Sequence, residues 1–449
     1  MTTPSRPLVV GFGVTGRAMV AALVAHGAVV TVVDDHPAPT ARAVAELATV
    51  DLVEAPSAQE LATLVAASDA VLPSPGVPDR HPVFAAARAA SVPVLSEFDL
   101  AAEWDDRPLV AITGTDGKTT VTTLVTEMFE ASGRSALAVG NTDVPLVEAI
   151  DRADLEVFVV EASSFRLGHS RRFEPAVATW LNFAEDHLDV HDTVEGYQDA
   201  KARIWSDLGP DRGVAVANAD DAVVMARRNP RCRTVTFGVD HPADYHLEGE
   251  ALVAPTGTVI VERGEMWRDL PHDVSNALAA SATALEGGAT LEGVRQVLRT
   301  FSGLAHRVSL VATADGVAWY DDSKATAPHA TLAAVRGFAS VVLIAGGRNK
   351  GLDLGVLAQA APHLRAVVAI GEAADEVAGA FFGLRPVSLA GSMADAVRLA
   401  GDLAQPGDAV LLSPGCASFD AYASYAARGD AFAATVRARQ GADPTAGPR

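Results

Sequence analysis

Short runs of β-branched residues alternate along the chain with longer Ala/Leu-rich stretches whose apolar positions recur at helical spacing. That alternation predicts α/β units built on parallel sheets. In the first unit PLVV reads as a strand, GFGVTG as a turn, Arg17–His26 as a helix and AVVTVV as the next strand. Further strands are predicted at AVLPS near Ala70 and over Val92–Leu95. The polar stretch AAEWDDRP ends in Pro108 and marks a domain boundary near Arg107. A second series opens with LVAIT and the Gly-rich TGTDGKTT, Thr113–Thr120. Val121, Leu124, Val125, Met128 and Phe129 then follow helical spacing, and Gly133 is placed for a C-cap. Strands fit EVFVVEAS, AVATWLNF, GVAVANA and TVTFG. A second boundary falls near Gly303 in FSGLAHR, and beyond it VAWYDD, SVVLIAGG, AVVAIGE, PVSLAG and AVLLSPG alternate with helical segments. No internal repeat is visible, and the closing GADPTAGPR reads as a disordered tail. The division is residues 1–106, 107–303 and 304–449.

Composition narrows the classes. At roughly 150 residues per domain, the 449-residue length agrees with three domains. The 49% hydrophobic and 20% charged content is that of a soluble globular protein with real cores. Lys and Arg number 35 against 56 Asp and Glu, a net charge of −21, which disfavours nucleic acid or an anionic membrane as partner. An anionic ligand therefore needs local cations and backbone amides. Cys232 and Cys416 cannot build a disulfide framework or a zinc cage, which fits a reducing cytoplasm. MTTPSRPLVVGFG lacks the apolar core of a signal peptide, and no apolar run reaches the ~18 residues of a membrane span. The expectation is a soluble cytoplasmic protein.

Two Gly-rich turns carry candidate chemistry. GFGVTG supplies Gly11, Gly13 and Gly16, a complete GxGxxG between strand and helix, and Asp34 ends the next strand near the spacing of a ribose-binding acid. Such glycines admit a diphosphate to the helix N-terminus, or they form a tight turn that packs helix on sheet with no ligand. The motif does not name the nucleotide. TGTDGKTT is the stronger signal: Lys118, Thr119 and Thr120 open a helix directly after the turn. Backbone amides and the Lys118 ammonium can hold ATP phosphates, and Thr119 can ligate Mg²⁺. Ile112 stands where GxxxxGK[ST] has its first glycine, which argues against an ordinary P-loop ATPase. In the middle segment Glu161 ends a strand, His187 sits in NFAEDHLDVH and Lys201 follows in YQDAKARIW. A carboxylate and an imidazole at adjacent strand ends suit Mg²⁺ or phosphate. Taken singly, Glu161 also reads as an N-cap, His187 as a loop histidine and Lys201 as a solvated helix residue.

TGTDGKTT, VVEASSF, NFAEDHLDVH, HDVSNALAA, GLAHRV, DDSKATAPHAT, IAGGRNKGLDL and LLSPGCASFDAY occur in one order across nearly the whole chain. Together they resemble the Mur ligases, and within them the branch that joins D-glutamate to UDP-N-acetylmuramoyl-L-alanine. The resemblance implies a Rossmann-like UDP-binding domain, a central P-loop ATP-binding α/β domain and a C-terminal Rossmann-like domain for the amino acid. It implies a cytoplasmic monomer acting on small molecules, in which ATP converts the substrate carboxylate to an acyl phosphate that D-glutamate then attacks. By resemblance, Gly114, Thr115, Asp116, Gly117, Lys118, Thr119 and Thr120 hold the phosphates. Asp273 and Asn276 match adenine contacts, Asp322 the ribose, and Arg307 and Lys324 the transferring phosphoryl. Thr119 and Glu161 match ligands of one Mg²⁺, and His187 and a CO₂-carbamylated Lys201 match those of a second. Val14, Thr15, Asp34, Asp35, His36, Gly76, Asn141 and Ser163 match the UDP-substrate positions. Thr326, Lys350, Ser418, the Phe419 backbone and Tyr425 match the amino-acid positions.

Five residues depart from the pattern. Asp116 and Asp273 stand where Asn is usual, Thr142-Asp143 replaces Ile-Gly after Gly140-Asn141, and Arg166 replaces Gln in SSFQL. Lys118, Glu161, His187, Lys201 and Lys350 are retained. An NAD-dependent oxidoreductase would explain GFGVTG alone and leave TGTDGKTT and DDSKAT unused. A non-catalytic nucleotide-binding regulator leaves the Lys/Glu/His/Lys set unexplained. A sister ligase for L-glutamate or another nucleotide sugar shares every motif named.

Overall fold

The apolar runs fold as three sheets in a computed structural model that describes residues 3–186, 190–191 and 193–440. The predicted tail and His187 lie outside the described residues. Contacts divide the chain into two units, residues 1–266 with 275–301 and residues 267–274 with 302–449.

The first unit carries two sheets. The N-terminal one has β1 (Pro7–Val10), β2 (Thr31–Asp34), β3 (Asp51–Glu54) and β4 (Ala70–Pro73) in the parallel order β3-β2-β1-β4. Its first helix begins at Val14, before the predicted Arg17, and ends at Ala25. The strand predicted at Val92–Leu95 does not form. Pro93 has no N–H to give a ladder, so only one bridge joins Val71 to Val94.

The second sheet comprises β5 (Leu109–Thr113), β6 (Ala136–Gly140), β7 (Val157–Glu161), β8 (Val177–Trp180), β9 (Val214–Asn218), β10 (Arg233–Gly238), β11 (Tyr245–Glu248), β12 (Ala251–Val253) and β13 (Val259–Glu262). Their order is β13-β12-β11-β10-β9-β8-β5-β7-β6. β5, β7 and β8 are buried along their lengths except at Leu109, as strands covered on both faces must be. Beneath them Phe98, Phe158, Trp180 and Trp205 pack into one core. The sheet departs from the parallel expectation at β11–β12 and β12–β13, which pair antiparallel. Those strands are joined by short turns, and a parallel crossover needs a dozen residues or more.

The second unit holds β14 (Ser309–Ala314), β15 (Val317–Asp321), β16 (Val341–Gly346), β17 (Leu364–Ile370), β18 (Val387–Ala390) and β19 (Ala409–Leu412), in the order β14-β15-β19-β16-β17-β18. Only β14–β15 is antiparallel, a hairpin the sequence pattern did not reveal. Leu343, Val367 and Phe381 fill one face of the sheet, and Trp319, Val410 and Phe432 the other. Among the described residues, no helix is long and apolar enough to cross a membrane. Both cysteines are free thiols.

Candidate active site

The GFGVTG turn links β1 to the helix Val14–Ala25. Its third glycine is obligatory: a Cβ on Gly16 would lie 2.0 Å from the Gly11 carbonyl oxygen. The Ser74 hydroxyl donates to that same oxygen at 2.7 Å and joins the turn to the end of β4. Asp34 is already engaged in holding the loop. Its Oδ2 accepts from the Phe12 N–H at 2.7 Å and its Oδ1 from the His36 N–H at 2.9 Å. The carboxylate thus braces the turn, where the motif alone suggested a ribose contact. A cleft of about 570 Å³ opens beside it, lined by Val14, Thr15, Asp34, Asp35, His36, Gly76 and Asn141 among others. The Ser163 hydroxyl caps the helix Ser164–His169 by accepting from the Arg166 N–H.

The second Gly-rich turn leaves β5 at Thr113 and enters the helix Lys118–Ala131, whose first turn carries Lys118, Thr119 and Thr120. Gly117 takes a positive φ of 80°, and a Cβ there would meet Asn276 Oδ1 at 2.6 Å. This places Asn276 against the loop. Asn182, past the end of β8, staples the turn: its Oδ1 accepts from the Thr115 and Asp116 N–H groups at 3.0 and 2.9 Å. The Lys118 ammonium folds back onto the Gly114 and Thr115 carbonyls, both at 2.9 Å.

Glu161 ends β7, and the register aligns it with Ile112 on β5. It is not an N-cap, since Ser163 performs that task. The side chain is 2% exposed. Asn141 Nδ2 donates to its Oε1 at 2.9 Å, while its Oε2 is buried without a partner. An unpaired buried carboxylate oxygen beside a phosphate-type loop is what a hard cation would satisfy. Lys201, in the helix Val194–Ala202, is also not the solvated residue its sequence suggests, being 1% exposed. Its Nζ donates to the Gly114 carbonyl at 2.6 Å and sits 4.6 Å from the centre of the Tyr197 ring. Burial, and then the Lys118 charge, pull its pKa well below the ordinary 10.5. The lowered pKa favours the neutral amine, the nucleophilic form of the group.

His187 lies outside the described residues, but the second histidine of its motif, His191, is fixed on both sides. Its ring meets Ser164 Oγ at 2.9 Å and Asp79 Oδ2 at 3.1 Å. This clasp joins the segment after β8 to the loop after β4. Neither Asn182 nor His191 was singled out from sequence, because their partners lie far along the chain.

In the second unit the motif loops leave neighbouring strand ends. DDSKAT follows β15, GGRNK follows β16 and SPGCASF follows β19. In an open α/β sheet this end is where ligands bind. Arg348 and Ala417 form a two-bond bridge that draws the Lys350 and Ser418 loops together. Lys324 Nζ lies 3.8 Å from the centre of the Tyr425 ring. Thr326 is half-buried, Ser418 buried, and Lys350 and Phe419 exposed. Arg428, missed from sequence, braces the site: it donates to Ser323 Oγ, the Ser323 carbonyl and the Cys416 carbonyl at 2.9–3.0 Å. Burial lowers its pKa to about 10, which leaves it charged at neutral pH.

Asp273 is fully engaged by Arg268, which grips both carboxylate oxygens. The buried Asp322 accepts from Ser413 Oγ at 2.7 Å and from the Val308 N–H at 3.2 Å. Burial raises its pKa from 3.8 to about 7, with the Ser413 bond and the Arg307 charge opposing. Arg307, with Asp322, lies in the second unit.

A Gly-rich loop between buried strand and helix, a buried carboxylate on the next strand and a second Gly-rich cleft define a nucleotide-binding α/β protein equipped for phosphoryl chemistry. Family models extend this. The Mur ligase middle domain matches residues 112–284, the Mur ligase glutamate ligase domain residues 306–416, and the Mur ligase MurD-like N-terminal domain residues 5–96. The UDP-N-acetylmuramoylalanine–D-glutamate ligase of Desulfosudis oleivorans is 39% identical, covering 97% of each chain. That of Frankia casuarinae is 42% identical over 97% of this chain and 94% of its own. The UDP-N-acetylmuramate-alanine ligase structure from Thermotoga maritima shares the fold at a TM-score of 0.56 and 19% identity, covering 97% of this chain and 99% of that one. The chain belongs to the Mur ligase family.

The raised Asp322 pKa sets a pH dependence. Between 3.8 and about 7 the folded state keeps a proton that the unfolded chain has lost. Stability from this group is therefore complete below 3.8 and drains away as pH rises toward about 7. Asp322→Asn does not titrate, so between about pH 5 and about pH 8 its urea midpoint gains on wild type, by up to ~3 kcal/mol in unfolding free energy. Parallel pH profiles for the two proteins would refute the shift.

Proposed function

We propose that the chain is an ATP-dependent ligase that forms the amide bond between UDP-N-acetylmuramoyl-L-alanine and D-glutamate in peptidoglycan precursor synthesis. The observation that carries this is near full-length identity, 39–42%, to ligases of that name. The unpartnered Glu161 oxygen next to the Gly-rich loop fits it.

The chemistry explains the residues. A carboxylate is a poor electrophile, so its oxygen first attacks the γ-phosphorus of ATP, and ADP leaves. The amine of D-glutamate then attacks the acyl carbon; the tetrahedral adduct loses inorganic phosphate and a proton to give the amide. Both steps bring anions together, so fixed positive charge does most of the work. Lys118 would turn from the Gly114 and Thr115 carbonyls to the phosphates, and the loop amides held by Asn182 would line the same path. Arg307 and Lys324 would receive the charge that develops on the transferring phosphoryl. Val14, Thr15, Asp34, Asp35, His36, Gly76, Asn141 and Ser163 belong to the UDP side in this reading. Asn276, Asp273 and Asp322 belong to the nucleoside of ATP. Thr326, Lys350, Ser418, Phe419 and Tyr425 belong to D-glutamate, whose two carboxylates call for the Lys350 ammonium and the hydroxyls.

The residues present fit Mg²⁺. Thr119 and Glu161 would hold one ion, with His187 and a carbamylated Lys201 at a second; bound there, the metal offsets the charge of the phosphates. The one open oxygen of Glu161 and the Thr119 hydroxyl are hard oxygen donors of the kind Mg²⁺ takes, with phosphate oxygens and water to complete its shell. The reading also takes the protein as a cytoplasmic monomer in three domains, 1–106, 107–303 and 304–449, with no membrane or nucleic-acid partner. The net charge of −21 supports that last point.

ADP release with UDP-N-acetylmuramoyl-L-alanine, ATP and Mg²⁺ across a panel of amino acids tests the whole reading; D-glutamate alone should give sustained turnover. Lys118→Ala should reduce kcat by ~10³-fold or more, and activity within tenfold of wild type would contradict the phosphate role. Lys201→Ala should be inactive yet regain part of its rate with added acetate, and unchanged activity without additive would remove the carbamate. For Lys350→Ala, the KM for D-glutamate should rise on the order of tenfold or more with that for ATP nearly unchanged, and the reverse order would misplace the amino-acid site.

A further inference from the structure

Arg166 stands in the helix Ser164–His169 with its side chain 6% exposed. Among the described residues it is the single Lys or Arg that lines the cleft beside GFGVTG. Its guanidinium has three separate partners. Nε pairs with Glu97, itself 1% exposed, and Nη2 donates to Thr15 Oγ1 at 3.0 Å. Nη1 donates to Asn141 Oδ1 at 3.0 Å.

That last bond decides how the Asn141 amide faces. With Oδ1 committed to Arg166, only Nδ2 can turn toward Glu161, where it donates to Oε1 at 2.9 Å. The carboxylate then holds one oxygen satisfied and one, Oε2, open. An amide turned the other way would set oxygen against oxygen and repel the carboxylate. The chain Thr15–Arg166–Asn141–Glu161 thus runs by hydrogen bonds from the nucleotide-side cleft to Oε1 of the carboxylate whose other oxygen is open. Glu97 neutralises the guanidinium through a single buried ion pair at Nε, which leaves both Nη groups to Asn141 and Thr15.

We propose that Arg166 is a positioning residue that couples occupation of the cleft by the nucleotide-sugar substrate to the cation affinity of Glu161. This rests on the function proposed above. A ligand that orders Thr15 and Asn141 also orders the Glu161 carboxylate, and linkage makes the effect reciprocal: each ligand strengthens the other by one factor.

The test measures binding. Mn²⁺ affinity is read by electron paramagnetic resonance on the full chain with a non-hydrolysable ATP analogue, with and without UDP-N-acetylmuramoyl-L-alanine. Calorimetry gives the affinity for the UDP compound with and without Mn²⁺. Wild type should show coupling on the order of tenfold in both directions. Arg166→Met strands a buried carboxylate, so the companion variant Arg166→Met/Glu97→Gln removes both charges and secures a folded protein. In it the coupling should fall to within about twofold, while Arg166→Gln, which keeps a donor of shorter reach, should restore part of it. A purely structural arginine would lower the melting temperature and leave the coupling intact; that outcome, or an uncoupled wild type, overturns the proposal alone. A wild type that does not bind the UDP compound overturns the functional reading with it.

Discussion

The Gly114 carbonyl oxygen accepts from two lysine amines, Lys118 at 2.9 Å and Lys201 at 2.6 Å. Two ammonium groups converging on one dipole repel each other, and the interior offers little solvent to relieve them. Lys201 is the fully buried one of the two, and burial together with the Lys118 charge drives it toward the neutral amine. The first unit is arranged around this crowding. The Lys118 ammonium rests on backbone carbonyls of the loop, and the Lys201 amine is buried on one of the same carbonyls. Were Lys201 exposed, it would remain an ammonium and add to the repulsion around any cation at Glu161.

The backbone has to be rigid for such crowding to persist. Adjacent strands deliver the participants: β5 leads to the loop, β7 ends at Glu161 and β8 leads to Asn182. Asn182 fixes the loop from one side, and Asn218 in turn donates to the Leu181 carbonyl at 2.7 Å. Each carboxamide satisfies buried backbone groups that would otherwise cost about 1–3 kcal/mol apiece. The second unit uses one buried guanidinium, Arg428, to the same end. It serves the Ser323 and Cys416 carbonyls together, and so locks the loops after β15 and β19 into a single frame.

Lys118, Thr119 and Glu161 were legible in the sequence because strand, turn and helix follow one another locally and each step leaves a composition signal. The parallel strands around them were legible for the same reason. What escaped depends on distance along the chain. The burial of Lys201 follows from where its helix packs, and YQDAKARIW gives no hint of it. Asn182, Arg428, Glu97 and His191 act on partners tens of residues away. Two errors have local causes that the sequence did contain. Pro93 should have demoted the Val92–Leu95 strand, and the alternation in ALVAPTGTVIVE around a Gly-containing turn signals the β12–β13 hairpin.

Asp34 illustrates how one motif serves different ends. In a dinucleotide fold the acid after the second strand reads a ribose with lone pairs of its carboxylate, of which each oxygen has two. Here each oxygen has a backbone N–H to hold, from Phe12 and from His36. The glycine turn is therefore shaped by a residue the motif would have assigned to the ligand. Beside Asp34, the braced turn presents to that cleft the exposed Val14 side chain, backbone N–H groups at the helix N-terminus, and the Thr15 hydroxyl that Arg166 holds in place.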